Sequence, residues 1–377
     1  MTLDSITILN FKNIVEANME FSAKINCFTG NNGVGKTNLL DAVYFLSFCR
    51  SAVTQGGDTG VINHQADMMM LQGQYTRRGD TERISVGMQR GKRKSVKRNG
   101  KEYQRLSQHI GLLPIVMVSP LDWDLIRGAG EERRRLMDQI ISQSDRQYLD
   151  ALIRYGKAVE NRNAMIRNGQ RDPILFETVE GQMCQWAACL HEARAKWIES
   201  FSPIFLRYYQ TIAASGETVS IAYRSHLNGC TMRQLLDDNR ERDFFLGYTS
   251  RGTHRDDIEL MLDGHPMRRT GSQGQCKTYT IALRLAQFDF LKTASGVTPI
   301  LLLDDIFDKL DTNRVRNIIN AVSHGGQFGQ IFITDTNRTH LDEIIRNTTT
   351  GDYKIFTVDG GVCRQAENGG RSAQPLP

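Results

Sequence analysis

The chain has 377 residues, 40% of them apolar and 24% charged, with a net charge of +5 at pH 7, which suits a soluble globular protein of more than one domain. No apolar run approaches the length that crosses a bilayer, and Met1–Ile6 lacks the basic-then-apolar pattern of a signal peptide. Seven cysteines without a C-x-x-C pair and eight dispersed histidines argue against structural zinc and for reduced thiols, so a cytoplasmic protein is expected.

Leu3–Ile8 alternates apolar and polar residues as half-buried strands do. Ile25–Thr29 reads as a short buried strand and Asn38–Leu46 as a helix. Between them Gly30-Asn31-Asn32-Gly33-Val34-Gly35-Lys36-Thr37 fits G-x-x-x-x-G-K-[ST], the phosphate-cradling P-loop. The glycines let the backbone curl so that N–H groups face phosphate oxygens, and the helix N-terminus adds a favourable dipole. Lys36 is expected at the β/γ-phosphates and Thr37 at Mg²⁺. A glycine-rich turn opening an ordinary helix is the bland alternative, and the strand–loop–helix order argues against it.

Ile84–Met88 is a second alternating strand. Between Arg83 and Arg105 stand nine Lys/Arg and one acid, Glu102, so the rest of the chain is slightly acidic. Asn99-Gly100 is a type I′ turn signal, and the segment reads as a basic β-hairpin projecting from the body. Lys92, Arg93, Lys94, Lys97 and Arg98 are the candidates for phosphate-backbone contact with DNA, against the equal alternative of a solvated surface hairpin. Ile115–Val118 is an apolar strand stopped by Ser119-Pro120.

From about 131 to 211 the pattern is helical. Leu149, Leu152, Val159 and Ile166 form one apolar run; Phe176, Val179, Met183, Trp186, Leu190, Ala193 and Trp197 form a heptad seam. Asn168–Pro173 is a stop, turn and restart. The spacing predicts an antiparallel helical hairpin with arms of ~35 Å. After Asp243 α/β character returns, with strands at Asp257–Leu262, Ile300–Leu303, Gln330–Thr334 and Tyr353–Val358. Ser272 is a natural N-cap in Gly271-Ser272-Gln273-Gly274-Gln275, a small polar helix start. Ile300–Leu303 delivers Asp304 and Asp305 to a sheet's C-terminal edge, Asp304 placed for Mg²⁺ through water and Asp305 for the attacking water. The expected organisation is an ATPase head in two parts, 1–120 and 241–365, a helical insertion at 121–240, and a disordered tail at 366–377.

Together these motifs resemble the RecF family, in the SMC-like branch of ABC-type ATPases, over about residues 3–360. Leu9–Asn13 is similar to the family's L-x-N-F-R-N, Gly30–Leu40 to G-x-N-x-x-G-K-T-N-L-L, and Ser272–Gln275 to its S-Q-G-Q signature. Ser119–Asp122, Gly128 and Arg133–Asp138 resemble S-P-E-D…G-x-x-x-x-R-R-x-F-L-D, and Gly252–Asp257 resembles G-P-H-R-D-D. Lys12 stands where the family usually has Arg, Thr253 where it has Pro, and Asp308-Lys309-Leu310-Asp311 where it has S-E-L-D. Asp305 is shorter than the Glu of most cassette ATPases. Thr334-Asp335 follows the next strand with no switch histidine, and Cys276 replaces a polar residue.

The resemblance implies an α/β P-loop NTPase fold, an ABC-type head with an inserted short antiparallel coiled coil. It implies ATP and Mg²⁺ held by Gly30–Asn38, Lys12 and Asp304, with Lys36 and Asp305 catalytic. Ser272, Gln273, Gly274 and Gln275 would close on the nucleotide of a second subunit, and Asp308 and Asp311 would form the D-loop. It implies slow hydrolysis and an ATP-dependent homodimer clamping duplex or gapped DNA near the nucleoid. Loading of the RecA recombinase with RecR and RecO, during gap repair, fork restart and the SOS response, follows from the same resemblance. The alternative is an SMC-like ATPase of another chromosome-maintenance or defence system. A transporter subunit would carry L-S-G-G-Q and a switch histidine, which this chain lacks.

Overall fold

A computed structural model describes residues 1–54, 58–213, 216–308, 310–323, 328–336, 345 and 352–366. The chain forms two compact units, Met1–Leu121 with Gly296–Pro377, and Asp122–Ser295. The units divide after Leu121 and after Ser295, where composition marks changes at 120/121 and 240/241. The expected tail at 366–377 falls, apart from Ala366, outside the described residues.

In chain order the first unit begins with β1 (Thr2–Phe11), β2 (Ile14–Glu20), β3 (Ile25–Thr29), α1 (Lys36–Phe48), β4 (Met68–Arg77), β5 (Asp80–Gln89), β6 (Ser95–Arg98), β7 (Lys101–Glu102) and β8 (Ile115–Val118). The second unit holds α2 (Asp124–Arg127), α3 (Gly130–Ser144), α4 (Arg146–Arg167), α5 (Pro173–Ala213), β9 (Val219–Arg224), α6 (Met232–Asp238), α7 (Arg240–Leu246), β10 (Asp257–Leu262), β11 (His265–Pro266), α8 (Met267–Thr270) and α9 (Gln273–Ser295). The chain then returns to the first unit with β12 (Ile300–Asp304), α10 (Thr312–Ser323), β13 (Ile331–Asp335), β14 (Tyr353–Asp359) and β15 (Val362–Gln365).

An antiparallel sheet of the first unit has the order β2-β1-β4-β5-β6-β7. Its register sorts side chains by period two. Ala17, Ile8, Leu71, Val86 and Val96 lie side by side on the buried face. Asn18, Thr7, Gln72, Ser85, Lys97 and Glu102 form the polar row on the other face. The basic hairpin is therefore not a projection: Asn99 (φ 51°) and Gly100 (φ 81°) do make its turn, but β6 is hydrogen-bonded into the sheet through Val96.

The second sheet of this unit has the order β15-β14-β3-β13-β12-β8, parallel except for β15. Its strands β8, β12 and β13 read as apolar runs, and β3 as one interrupted by the buried Asn26, because both faces are covered. Helix α1 packs in the same core as both sheets. Leu39, Leu40, Val43, Phe45 and Leu46 are all buried, which leaves no polar stripe on that part of the helix. Gln330 joins the sheets, bonding Leu3 N (2.7 Å), Leu3 O (2.8 Å) and Ser22 O (2.8 Å).

In the second unit α4 and α5 form the expected antiparallel hairpin, with α5 (41 residues) much the longer arm. Its seam is not purely apolar. The buried positions of α4 are Tyr148, Ala151, Tyr155, Ala158, Arg162 and Ile166, one position off the expected Leu149, Leu152 and Val159. Arg162 and Arg194 are buried there and held by carboxylates. Arg162 donates to Glu180 (2.9 Å), Asp243 (2.7 Å) and Thr249 (3.0 Å). Arg194 donates to Asp256 (2.7 Å), Asp138 (2.8 Å), Tyr148 (2.9 Å) and the Thr253 carbonyl (2.8 Å).

The small sheet β11-β10-β9 and the long helix α9 belong with this hairpin. Tyr279 of α9 packs on Phe205 (4.7 Å between ring centroids) and Tyr209 (5.8 Å), and its hydroxyl donates to Ser220 O (2.8 Å). That cluster, invisible as local pattern, moves the boundary to 295/296.

Candidate nucleotide site

Strand β3 runs through the middle of the parallel sheet and ends at Thr29, so the loop 30–35 opens at the sheet's C-terminal edge. Such an edge, followed by a helix N-terminus, is where open α/β sheets bind ligands. The loop's shape depends on two glycines. Gly35 has φ 115°, and a Cβ there would lie 2.6 Å from Asn13 Nδ2. Gly30 has φ 152°, and a Cβ would lie 2.4 Å from Val358 O. Asn31, Asn32 and Gly33 form an exposed lip, and Val34 is half-buried.

Lys36 folds back over this loop. Its ammonium donates to Gly30 O (2.6 Å) and Asn31 O (2.8 Å). Burial lowers its pKa, while the nearby Asp305, Asp304 and Asp335 pull it back up. A cation held by loop carbonyls at the head of a helix is the donor set that a polyphosphate needs.

The acidic side of the site comes from β12 and its neighbour β13. Asp304 pairs with Thr334 in register, and Thr334 Oγ1 donates to Asp304 Oδ1 at 2.7 Å. Thr37 Oγ1, in the first turn of α1, donates to the same oxygen at 3.0 Å. Burial raises the Asp304 pKa, against the lowering effect of the Thr334 and Thr37 hydroxyls. Asp305 adopts φ 48°, and its N–H is held by Thr334 O and Thr334 Oγ1, each at 3.1 Å. The left-handed residue breaks the strand immediately after Asp304. Among the described residues no group of three or more His, Cys, Asp or Glu could hold a metal alone. The hard oxygens of Thr37 and Asp304 fit Mg²⁺, which keeps several waters and takes substrate phosphate oxygens as ligands.

Of the P-loop and acidic residues read from sequence, Gly30–Asn38 and Asp304 assemble at one sheet edge, with Asp305 close enough to act on Lys36. Lys12 differs. Its ammonium lies 2.6 Å from Asp41 Oδ2 and 5.7 Å from the Phe11 ring centroid. Asp41 is fully buried and also accepts from Ser51 (2.6 Å) and Ala52 N (2.7 Å). A buried carboxylate needs a cation, so Lys12 is committed to α1 in this structure and not to the loop. Thr334 and Asn13, which stand within motifs named above, receive no role from the sequence alone. The apolar run Ile331–Ile333 ending beside Asp304 was the available signal for Thr334.

Ser272 caps α9. Its hydroxyl accepts from Gln275 N (3.2 Å), and Gln275 Oε1 accepts from Ser272 N (2.8 Å), a reciprocal capping box. Ser272 and Gln273 are exposed, Gly274 is half-buried, and Gln275 also reaches Glu217 (2.8 Å). Asp308 is exposed. Asp311 accepts from Arg314 N (2.9 Å) at the start of α10. Lys309 lies outside the described residues.

The other quoted motifs interlock in the second unit. Arg133 makes a bidentate pair with Asp257 (2.7 and 2.9 Å), and Arg134 donates to Asp256 O (2.7 Å). Of the basic hairpin, Lys92, Arg93 and Lys97 are exposed. Lys94 is turned inward, donating to Cys49 O with its ammonium 5.5 Å from the Phe45 ring centroid. Arg98, on the inner face beside Ile84, pairs with Glu82 (2.9 Å). Period-two alternation thus separates Lys97 from Arg98.

Residues 2–361 match the family model described as RecF/RecN/SMC N terminal domain. The chain is 52% identical to the DNA replication and repair protein RecF of Parabacteroides distasonis over 97% of this chain and 100% of that protein. It is 50% identical to the protein of that name from Bacteroides fragilis strain YCH46, over 97% and 99%. A solved structure described as the recombination mediator protein RecF with ATPrS superposes with a TM-score of 0.84 at 25% identity, covering 96% of this chain and 97% of that one. An Smc head domain from Pyrococcus furiosus shares the fold, with a TM-score of 0.57 at 17% identity over 97% and 96%. With its head-type sheet, its P-loop and these full-length relatives, the chain belongs to the RecF family of DNA replication and repair proteins, among the SMC-like ATPases.

Proposed function

We propose that the chain is an ATP-driven DNA clamp of recombinational repair, with weak ATPase activity that releases DNA. The observation that carries this reading is the meeting of Lys36, Thr37 and Asp304 at one edge of the parallel sheet. Lys36 and the loop N–H groups would hold the phosphates of ATP, and Thr37 and Asp304 would hold Mg²⁺. The metal supplies charge neutralisation at the phosphate oxygens. Asp305 would orient the attacking water and take up its proton. Catalysis of this kind is positioning plus electrostatic stabilisation. Ser272, Gln273, Gly274 and Gln275 would meet the nucleotide of a second copy, with Asp308 and Asp311 near the same junction, so that ATP closes a homodimer.

The DNA would be duplex or gapped, met in part by the exposed cations Lys92, Arg93 and Lys97. One solved relative is described as a recombination mediator protein in the RecFOR pathway, and on this reading the chain would act beside RecR and RecO in loading RecA at the nucleoid. The test is DNA affinity at fixed salt with ATP and Mg²⁺, with ADP and without nucleotide, on single-stranded, duplex and gapped DNA. Tighter binding to duplex or gapped DNA in ATP alone, lost in Lys36→Ala together with dimerisation, is the expected result. Nucleotide-independent binding, or ATP-dependent dimers of Lys36→Ala, would overturn the clamp.

A further inference from the structure

The Val34 carbonyl, in the middle of the P-loop, accepts two hydrogen bonds from outside the loop. One comes from Asn13 Nδ2 at 3.1 Å, in the β1–β2 turn. The other comes from Gly361 N at 3.0 Å, in the β14–β15 turn. A peptide unit is planar and trans, so its carbonyl and the following N–H point in opposite directions. Fixing Val34 O on the outer side therefore aims the Gly35 N–H at the inner, phosphate-facing side. The other end of the Asn13 carboxamide accepts from Asn38 Nδ2 at 2.7 Å, in the first turn of α1. A carboxamide has one donating and one accepting end, so these two partners fix which way it lies. Gly35 permits the approach, since any side chain there would collide with Asn13.

We infer that Asn13 is a positioning residue for the phosphate cradle: it ties the loop to the head of α1 and sets the direction of the loop's N–H groups before nucleotide arrives. The inference rests on the reading that this loop binds ATP. It predicts a specific cost in nucleotide affinity, because a cradle that must be reorganised on binding binds less well than one already set.

The test titrates ADP and ATP, with Mg²⁺, against the full-length wild type, Asn13→Ala, Asn13→Asp and Asn38→Ala, with urea unfolding of each protein free of nucleotide. Asn13→Ala should bind both nucleotides about tenfold more weakly, the scale of one well-placed hydrogen bond, and KM for ATP should rise in step. Asn13→Asp should lose more, since its carboxylate would face the Val34 carbonyl and add negative charge beside an anion site. Asn38→Ala, which frees the carboxamide without removing it, should fall between wild type and Asn13→Ala. The unfolding midpoints should shift far less than these affinities, which separates positioning from loss of fold. If Asn13→Ala does not fold, Asn13→Asp and Asn38→Ala carry the comparison. Wild type that binds neither nucleotide would sink the ATP reading and this inference with it. Wild type that binds, beside Asn13 variants within twofold of it, would leave the ATP reading standing and overturn the inference alone.

Discussion

Neutralising the exposed cations of the basic strand pair tests whether this edge meets DNA, and the structure fixes which residues to change. Lys92, Arg93 and Lys97 are exposed, whereas Lys94 is tied to the Cys49 carbonyl and Arg98 to Glu82. Each phosphate contact to duplex DNA contributes about 0.9 to the slope of log affinity against log salt. Replacing Lys92, Arg93 and Lys97 by Gln should therefore flatten the slope by up to about 2.7. Extrapolated from 1 M to 0.1 M salt, that is a loss of up to about 500-fold in affinity. Lys94→Gln with Arg98→Gln, which removes the same type of charge from cations already held within the protein, by the Cys49 carbonyl and by Glu82, should change the slope by less than about 0.5. The assay is fluorescence anisotropy on a labelled gapped duplex with ATP and Mg²⁺, at four or more salt concentrations. Equal slopes for wild type and the exposed triple variant would refute this edge as a phosphate contact. Equal slopes for the two sets of variants would refute the argument from side-chain direction.

Three further outcomes follow from other contacts. Thr334→Val removes both the hydroxyl that donates to Asp304 and the one acceptor at Thr334 Oγ1 for Asp305 N–H; turnover should fall about tenfold, with a loss of about 1–2 kcal/mol in denaturant unfolding. Arg162→Leu leaves the buried Asp243 without its cation, although Glu180 keeps Arg240 (2.9 Å). The cost should be about 3 kcal/mol, read as a drop of roughly 10 °C in melting temperature, and a drop under about 2 °C would show that the pair does not hold the hairpin. His254, between the Tyr155 hydroxyl (2.9 Å) and the Thr249 carbonyl (3.0 Å), is lowered by burial to about 4 from an ordinary 6.5. A depressed folded pKa gives stability that is present above about 6.5 and lost as pH falls towards about 4. The acid-side decline in melting temperature should be shallower in His254→Gln, and parallel profiles would contradict this.

Much of the fold was legible because its signals are local. The strand entering the acidic pair is an unbroken apolar run, the one entering the P-loop is apolar but for Asn26 and Thr29, and the turn at Asn99-Gly100 declares itself by residue type. The second-unit boundary was not legible, because it depends on Tyr279 meeting Phe205 and Tyr209 across a long separation in sequence. The seam of α4 was misplaced by one position for a related reason. An apolar count favours Leu149 and Val159, whereas the real stripe contains Tyr148, Tyr155 and Arg162, whose polar ends meet Arg194, His254 and Asp243 far along the chain. At the site, Lys36, Thr37 and Asp304 came from motif and spacing. Asn13 and Thr334 act through a neighbour's atoms, and only the three-dimensional register brings them there. Lys12, placed near the nucleotide by its motif, pairs here with Asp41 of α1.

Two helices zipped by like apolar layers can slide by one heptad, ~10 Å, and find an equivalent fit. The α4–α5 hairpin has no such second setting. Arg162 meets its acids at one level of the rod and Arg194 at another. A slip would part Arg162 of α4 from Glu180 of α5, and Arg194 of α5 from the Tyr148 hydroxyl of α4, leaving buried guanidinium groups short of partners at a cost of several kcal/mol. The two arginines act as dowels through a joint. They give the hairpin a single length, so its far end is held at a fixed reach, as a strut is and a spring is not.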